Sequence, residues 1–287
     1  MPVSQLPPLS EQEFKLLQEF IQRETKITLG KEKMYLMRSR LGPILQKEGL
    51  KSYRELYDKL TRDRLGKLKD EVVEAITTNE TFWFRDEHPF RILREEVIPE
   101  VLERYPNEKI RIWSAACSTG QEPYSIAISI LEESRRNRKI NPKKFEILAT
   151  DISREALAVA QAGKYQWLAL TRGMKPEILD RYFIKDRSGA DAATVKPEVR
   201  QMVTFKQLNL QQSFTTLGKF HIIFCRNVTI YFSKDFKEEL FKKMAGVLKP
   251  HGFLFLGASE TMIGTSASKM FKLVRSPKGG TYYRLIS

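Results

Sequence analysis

Cysteine is scarce in this chain, with only Cys117 and Cys225 in 287 residues. So few thiols exclude a disulfide-stapled fold and point to a reducing compartment. The two form no CxxC pair, and the three histidines (His88, His221, His251) are scattered, so no spacing suits a zinc site. No apolar run approaches the roughly 18 residues that a membrane-spanning helix needs. The first ten residues are proline-rich and lack the basic-then-apolar order of a secretory signal. The expectation is a cytoplasmic protein with no membrane insertion. Internal repeats and low-complexity tracts are missing as well. What remains is an ordinary globular composition, 41% hydrophobic and 29% charged, long enough for a small domain plus an α/β domain.

Charge is the first thing the chain has in excess. The formal net charge is +14 and the isoelectric point about 9.6. Such a surface favours an acidic partner, either nucleic acid or protein, or is a well-solvated exterior.

Hydrophobic periodicity divides the chain. Ser10-Glu11-Gln12-Glu13 has the form of a capping box, and Phe14, Leu17 and Ile21 follow at helical spacing. A second helix is expected from about Lys31 to Lys47, with Met34, Met37, Leu41, Ile44 and Leu45 on its apolar face. Two more are expected near Ser52–Leu60 and Leu65–Ile76. Residues 1–76 therefore read as a small all-α domain. Lys31, Lys33, Arg38 and Arg40 flank the second helix's apolar stripe, either as a solvated flank or as a basic docking surface. Residues 77–108 read as a linker. From 109 to 287, short strand-like runs alternate with helical stretches, the pattern of a mostly parallel sheet covered by helices. Pro250-His251-Gly252 is expected to be a turn into a strand at Phe253–Leu256. The alternation breaks at about 163–203, which reads as an inserted β-subdomain with its tip at Asp186-Arg187-Ser188-Gly189.

Four segments carry chemistry, at places where α/β sheets bind ligands, beyond the carboxyl ends of strands. The first is the strand–turn–helix at 110–125, where Gly120 permits a tight turn that brings backbone N–H groups toward a ligand. It lacks the GxGxxG fingerprint, so a plain turn fits it too, and an NAD-dependent oxidoreductase is disfavoured. The second is Asp151, at the end of the next strand, suited to accept from ribose hydroxyls or to cap the following helix. Glu122 nearby would favour a cationic ligand, such as the sulfonium of S-adenosylmethionine, over a pyrophosphate. The third is 77–90, which packs polar groups, four aromatics and Arg85 into the linker as a site or as a packed hinge. The fourth is 220–232, where a buried strand ends in Arg226-Asn227 and reaches Tyr231 within a turn. Arg226 and Asn227 could line a site or merely cap the strand.

Taken together, TTNETFWFRD at 77–86, WSAACSTGQEPYS at 113–125, ATDIS at 149–153 and FCRNVTIYF at 224–232 resemble the CheR family of chemotaxis receptor methyltransferases, in the family's order. LNL at 208–210 and GFLFLGASE at 252–260 add to the likeness, which covers essentially the whole chain. The resemblance implies a Rossmann-like, S-adenosylmethionine-dependent methyltransferase domain with a small β-subdomain insertion, behind an all-α N-terminal domain. It implies cofactor contacts from Asn79, Thr81, Arg85, Glu122, Asp151, Asn209, Leu210, Arg226 and Asn227, with Arg85 and Tyr231 closest to the transferred methyl. The implied substrate is glutamates on the helical cytoplasmic bundle of a chemoreceptor, giving glutamyl methyl ester and S-adenosylhomocysteine. A non-enzymatic cofactor-binding scaffold is the alternative. A nucleic-acid methyltransferase is disfavoured, because Arg226-Asn227-Val228-Thr229 stands where amino-methylating enzymes carry an Asn/Asp-Pro-Pro loop. Three positions depart from the family pattern: His221 for the usual Asp, Gln121 for the common Glu, and a glycine-poor 185–194. Cys117 and Cys225 read as packing residues on neighbouring strands.

Overall fold

The computed structural model describes residues 6–186 and 191–286. The expected tip of the insertion lies, apart from Asp186, outside the described residues. Contacts divide the chain into two units, Met1–Thr78 with Tyr231–Phe236, and Asn79–Ile230 with Lys237–Ser287. Among the described residues no helix is long and apolar enough to cross a membrane.

The first unit is built from α1 (Glu11–Thr25), α2 (Met34–Lys47, led in by a 3-10 turn at Lys31–Lys33), α3 (Tyr53–Arg62) and α4 (Lys67–Ile76). The capping box forms in full. The Glu13 N–H donates to Ser10 Oγ at 3.3 Å, and the Ser10 N–H donates to Glu13 Oε2 at 2.9 Å. The core is made by the residues of the expected apolar stripes, including Phe14, Leu17, Leu41, Leu45, Leu56 and Val72. The cations beside α2 divide into two kinds. Arg38 donates to the carbonyls of Pro7 (3.0 Å) and Leu6 (2.5 Å), and Arg40 to those of Ile76 (2.7 Å) and Thr77 (3.0 Å). Both guanidiniums fix the domain's own backbone, and Arg40 satisfies carbonyls left open at the end of α4. Lys31 pairs with Glu11 at the surface.

The second unit begins with α5 (His88–Ile92), a π-helical turn at Leu93–Val97 and α6 (Ile98–Arg104), so most of the expected linker is helical. Then follow β1 (Ile110–Ala115), α7 (Gln121–Arg136), β2 (Phe145–Asp151) and α8 (Arg154–Ala162). The insertion holds β3 (Lys164–Gln166), α9 (Trp167–Thr171), α10 (Pro176–Tyr182), β4 (Phe183–Lys185), β5 (Ala192–Val195) and α11 (Pro197–Arg200). The chain closes with β6 (Val203–Gln207), β7 (Phe220–Cys225), α12 (Lys234–Val247), β8 (Leu248–Leu256), β9 (Phe271–Arg275) and β10 (Thr281–Leu285). The main sheet runs β6-β2-β1-β7-β8-β10-β9, parallel from β6 to β8 and antiparallel through β10 and β9. The insertion forms a separate antiparallel sheet, β3-β5-β4. The central strand β7 is buried at every position, as expected for a strand with helices on both faces.

One local expectation is corrected. Pro250-His251-Gly252 does not precede the strand as a turn but lies inside β8, where the register with β7 shifts between Phe220 and Ile222. His251 takes φ 57° there. From Leu248 to Phe253 β8 carries three more residues than β7 does from Phe220 to Ile222, an irregular bulge that includes the left-handed His251. Cys225 is the last residue of β7, opposite Ala115 of β1. Both cysteines are free and buried, and burial pushes both thiols well above their usual range, so they pack as neutral groups.

Candidate active site

The centre of the site is the turn leaving β1. Ala116 (φ 59°), Ser118 (φ 51°) and Gly120 (φ 94°) are all left-handed. Two non-glycine residues in that region cost about 1–2 kcal/mol each, so this is no ordinary strand-to-helix turn. Four hydrogen bonds offset the strain. The Cys117 N–H donates to Thr150 O (2.9 Å) and the Ser118 N–H to Asp151 Oδ2 (2.7 Å). Ser118 Oγ donates to Asn79 O (2.8 Å), and Tyr165 Oη to Thr119 O (2.7 Å). At Gly120 a Cβ would lie 2.8 Å from the Ala160 Cβ, so close packing as well as φ requires glycine.

Asp151, at the end of β2, is buried. Its second oxygen accepts from the Ser153 N–H at 2.9 Å. The capping alternative belongs to Ser153 instead, whose Oγ accepts from the Ala156 N–H at 2.9 Å. Asn79 Nδ2 reaches the same Ser153 Oγ at 3.4 Å. Asn79, Ser118 and Asp151, far apart in sequence, therefore meet.

A second cluster forms where β1 and β7 end. Arg226 is buried and donates to Glu122 Oε2 (2.9 Å), Asp86 Oδ2 (2.7 Å) and the Arg85 carbonyl (2.7 Å). The other oxygen of Glu122 accepts from Ser114 Oγ at 2.8 Å. Burial pushes the Glu122 carboxyl up, and Arg226 and Ser114 oppose it. Removing one partner of such a buried pair costs about 3–5 kcal/mol. Arg226 does not merely cap a strand; it ties the strand ends to the 80–86 segment. Asn227 is left-handed (φ 59°), and Glu260 holds it. One carboxylate accepts from the N–H groups of Asn227 (2.7 Å), Val228 (3.0 Å), Thr229 (2.7 Å) and Gly257 (2.6 Å), and from Thr229 Oγ1 (2.7 Å).

The remaining expected residues are placed as follows. Arg85 is half-buried, with Nη1 donating to Glu80 O at 3.3 Å and its guanidinium 5.2 Å from the Phe82 ring centre. Arg172 stands 4.8 Å from the same ring and pairs with Glu80 at 2.7 Å. Thr81 is half-buried in the same segment. Asn209 accepts the Gln211 N–H at 3.0 Å, and Leu210 is buried beside it. Lys243 fixes that turn by donating to the carbonyls of Leu210 (2.8 Å) and Gln211 (3.0 Å). Tyr231 groups by contacts with the N-terminal helices, and its carbonyl accepts the Thr28 N–H at 2.8 Å. Reading the sequence missed Asp86, Ser114, Ser118, Ser153 and Glu260. All five lie inside the quoted motifs, and Ser153 is in addition an N-cap type three residues ahead of Ala156, but no residue type or spacing singled out their partners.

A parallel sheet ending in a strained loop, a buried Asp and a buried Glu–Arg pair suits a cationic, hydroxyl-bearing ligand and repels a pyrophosphate. With the matches that follow, the class is that of an S-adenosylmethionine-dependent methyltransferase. Residues 79–279 match the family model described as CheR methyltransferase, SAM binding domain, and residues 12–77 the model described as CheR methyltransferase, all-alpha domain. The chain belongs to the CheR methyltransferase family. It is similar to chemotaxis protein methyltransferase 1 of Pseudomonas aeruginosa, 45% identical over 87% of this chain and 90% of that one. It is 44% identical to chemotaxis protein methyltransferase Cher2 of Pseudomonas putida, over 88% and 91%. It is 43% identical to a chemotaxis protein methyltransferase of Vibrio anguillarum, over 96% and 97%. The comparisons give no support to a non-enzymatic scaffold.

Proposed function

We propose that this enzyme methylates glutamate side chains on the helical cytoplasmic bundle of a chemoreceptor, in the cytoplasm, yielding glutamyl methyl ester and S-adenosylhomocysteine. The observation that carries the reading is the buried Glu122–Arg226–Asp86 cluster beside the strained 116–120 loop. The cluster gathers three separate motifs of one methyltransferase family, and the loop joins the fourth through the Ser118 to Asp151 bond. Asn79, Thr81, Glu122, Asp151, Asn209, Leu210, Arg226 and Asn227 would hold the cofactor. Asp151 is suited to ribose hydroxyls, and Glu122 supplies negative charge for a sulfonium. Arg226 acts through Glu122 and the Arg85 backbone. S-adenosylmethionine supplies an electrophilic methyl group.

The substrate carboxylate, with a pKa near ~4.3, is already ionised at neutral pH, so no residue need act as a general base. The protein's part is alignment, which can contribute several kcal/mol. Arg85 orients the carboxylate with its guanidinium, and Tyr231 acts with it. The grip must be loose, because a tight one would stabilise the ground state. With Arg38 and Arg40 fixing backbone, docking on an acidic receptor falls to the remaining basic surface.

The test is incubation with methyl-labelled S-adenosylmethionine and chemoreceptor-containing membranes, followed by mild base. Base-labile label on a receptor band is expected. Base-stable label, or label on nucleic acid, would overturn the proposal.

A further inference from the structure

A cavity of about 600 Å³ opens in the methyltransferase unit between the 84–94 segment, α7, the 173–178 stretch and the β9–β10 turn. Its lining contains none of Glu122, Asp151, Asn209 or Arg226. Phe84, Phe90, Ile128 and Ile178 form apolar walls, while Arg94, Arg136 and Lys175 bring positive charge. Among the described residues no carboxylate pairs with any of these three cations. The acids of the lining are used elsewhere or exposed. Asp86 grips Arg226 (2.7 Å), Glu132 takes Arg181 (2.5 Å) and Tyr182 (2.7 Å), and Glu87 is exposed. Arg94 is half-buried and sits on the π-helical turn Leu93–Val97, a distortion that recurs at functional sites. Burial and then the like charge of Arg136 disfavour its charged form, while Glu133, Glu95 and Glu132 act the other way without forming an ion pair with it.

We infer that this cavity binds a small aromatic organic phosphate, its ring against Phe84 and Phe90 and its phosphate on Arg94, Arg136 and Lys175. A bare ion would leave the apolar walls wet, and an uncharged ring would leave the Arg94 guanidinium without a direct acceptor. The volume falls within the usual range of small-molecule sites, and a planar guanidinium suits a phosphate bidentately. The cavity also touches the arm that carries Arg85. Phe84 and Asp86 flank it, both line the cavity, and Phe84, Asp86 and Glu87 are left-handed (φ 49°, 67° and 48°). A segment so strained is held by its neighbours, and an occupant bearing on it would shift Arg85 and change turnover. That consequence rests on the role proposed for Arg85; the binding does not.

Calorimetric titration of the full chain tests the inference, with S-adenosylhomocysteine at saturation so that the cofactor site is filled. Phenyl phosphate should bind one to one, with affinity lowered about tenfold or more by Arg94→Met and by the surface change Lys175→Glu. Both variants should bind S-adenosylhomocysteine as the parent does. No binding of phenyl phosphate, equal binding by both variants, or equal affinity for inorganic phosphate would overturn it. Failure of S-adenosylhomocysteine to bind would instead count against the cofactor site.

Discussion

Glu260 makes the sharpest test of how the site is held. Its carboxylate accepts four backbone N–H groups and one hydroxyl, which fixes the Asn227–Thr229 turn against Gly257. In Glu260→Gln one oxygen remains. If it keeps Val228 and Thr229, the new amide NH2 faces the N–H groups of Asn227 and Gly257. Two charge-assisted bonds are lost and two donors confront a donor, at about 1–3 kcal/mol each. Glu260 is only half-buried, so water relieves part of this, and a net loss of about 2–4 kcal/mol follows. For a domain of this size that lowers Tm by about 5–15 °C. Calorimetric melting reads the loss, and titration with S-adenosylhomocysteine reads the effect on the turn that carries Asn227. A Tm within about 2 °C of the parent together with unchanged affinity would refute the claim that this carboxylate organises the loop.

Arg85→Ala should lower turnover strongly while leaving the melting temperature close to the parent's, as activity assays and calorimetry would show; near-normal turnover would remove Arg85 from the mechanism. His221 is buried, accepts the Arg111 N–H at Nδ1 (3.0 Å), and is held by burial below its usual pKa of 6.5 although Glu108 opposes. Below pH 6.5 the unfolded chain takes up a proton that the folded one resists, so stability should fall with falling pH, by at most about 1.4 kcal/mol per pH unit. Denaturant melts across pH should show this slope, flattened in His221→Asn. Gly173→Ala should destabilise the second unit by about 2–4 kcal/mol in the same melts, because φ is +88° and the new Cβ would lie 2.1 Å from Trp83 O. Added salt should weaken receptor binding more than binding of S-adenosylhomocysteine, as parallel titrations would reveal; equal sensitivity would count against charge-guided docking.

Local rules made much of this architecture legible. Ser10 and Glu13 cap α1 because a capping box needs only residues three apart, and the change from helical to strand periodicity near residue 109 separates the all-α region from the sheet. The insertion was visible as a break in alternation at 163–203, and three short strands occupy it. Illegible were the choices made across the fold. Nothing local says that Arg38 and Arg40 turn inward to carbonyls, that Ala116 and Ser118 accept left-handed strain, or that Glu260 reaches back to Asn227. Each depends on groups distant in sequence, brought together by helix packing for the two arginines and by strand pairing for the rest. Pro250-His251-Gly252 misled for a related reason: its composition is that of a turn, but pairing with β7 absorbs it as a bulge. The proposed cofactor residues lie in short consecutive motifs, whereas the bonds that join those motifs, such as Arg226 to Asp86 and Ser114 to Glu122, come into view only with the fold.

The most direct measurement of the central claim is peptide mass spectrometry of a chemoreceptor after incubation with the enzyme and S-adenosylmethionine, comparing the parent with Arg85→Ala. The account predicts one added methyl group on specific glutamates of the receptor's helical cytoplasmic region with the parent enzyme, and little or none with Arg85→Ala. Methyl groups found on lysine, arginine or the chain termini, or equal glutamate methylation by the two proteins, would contradict it.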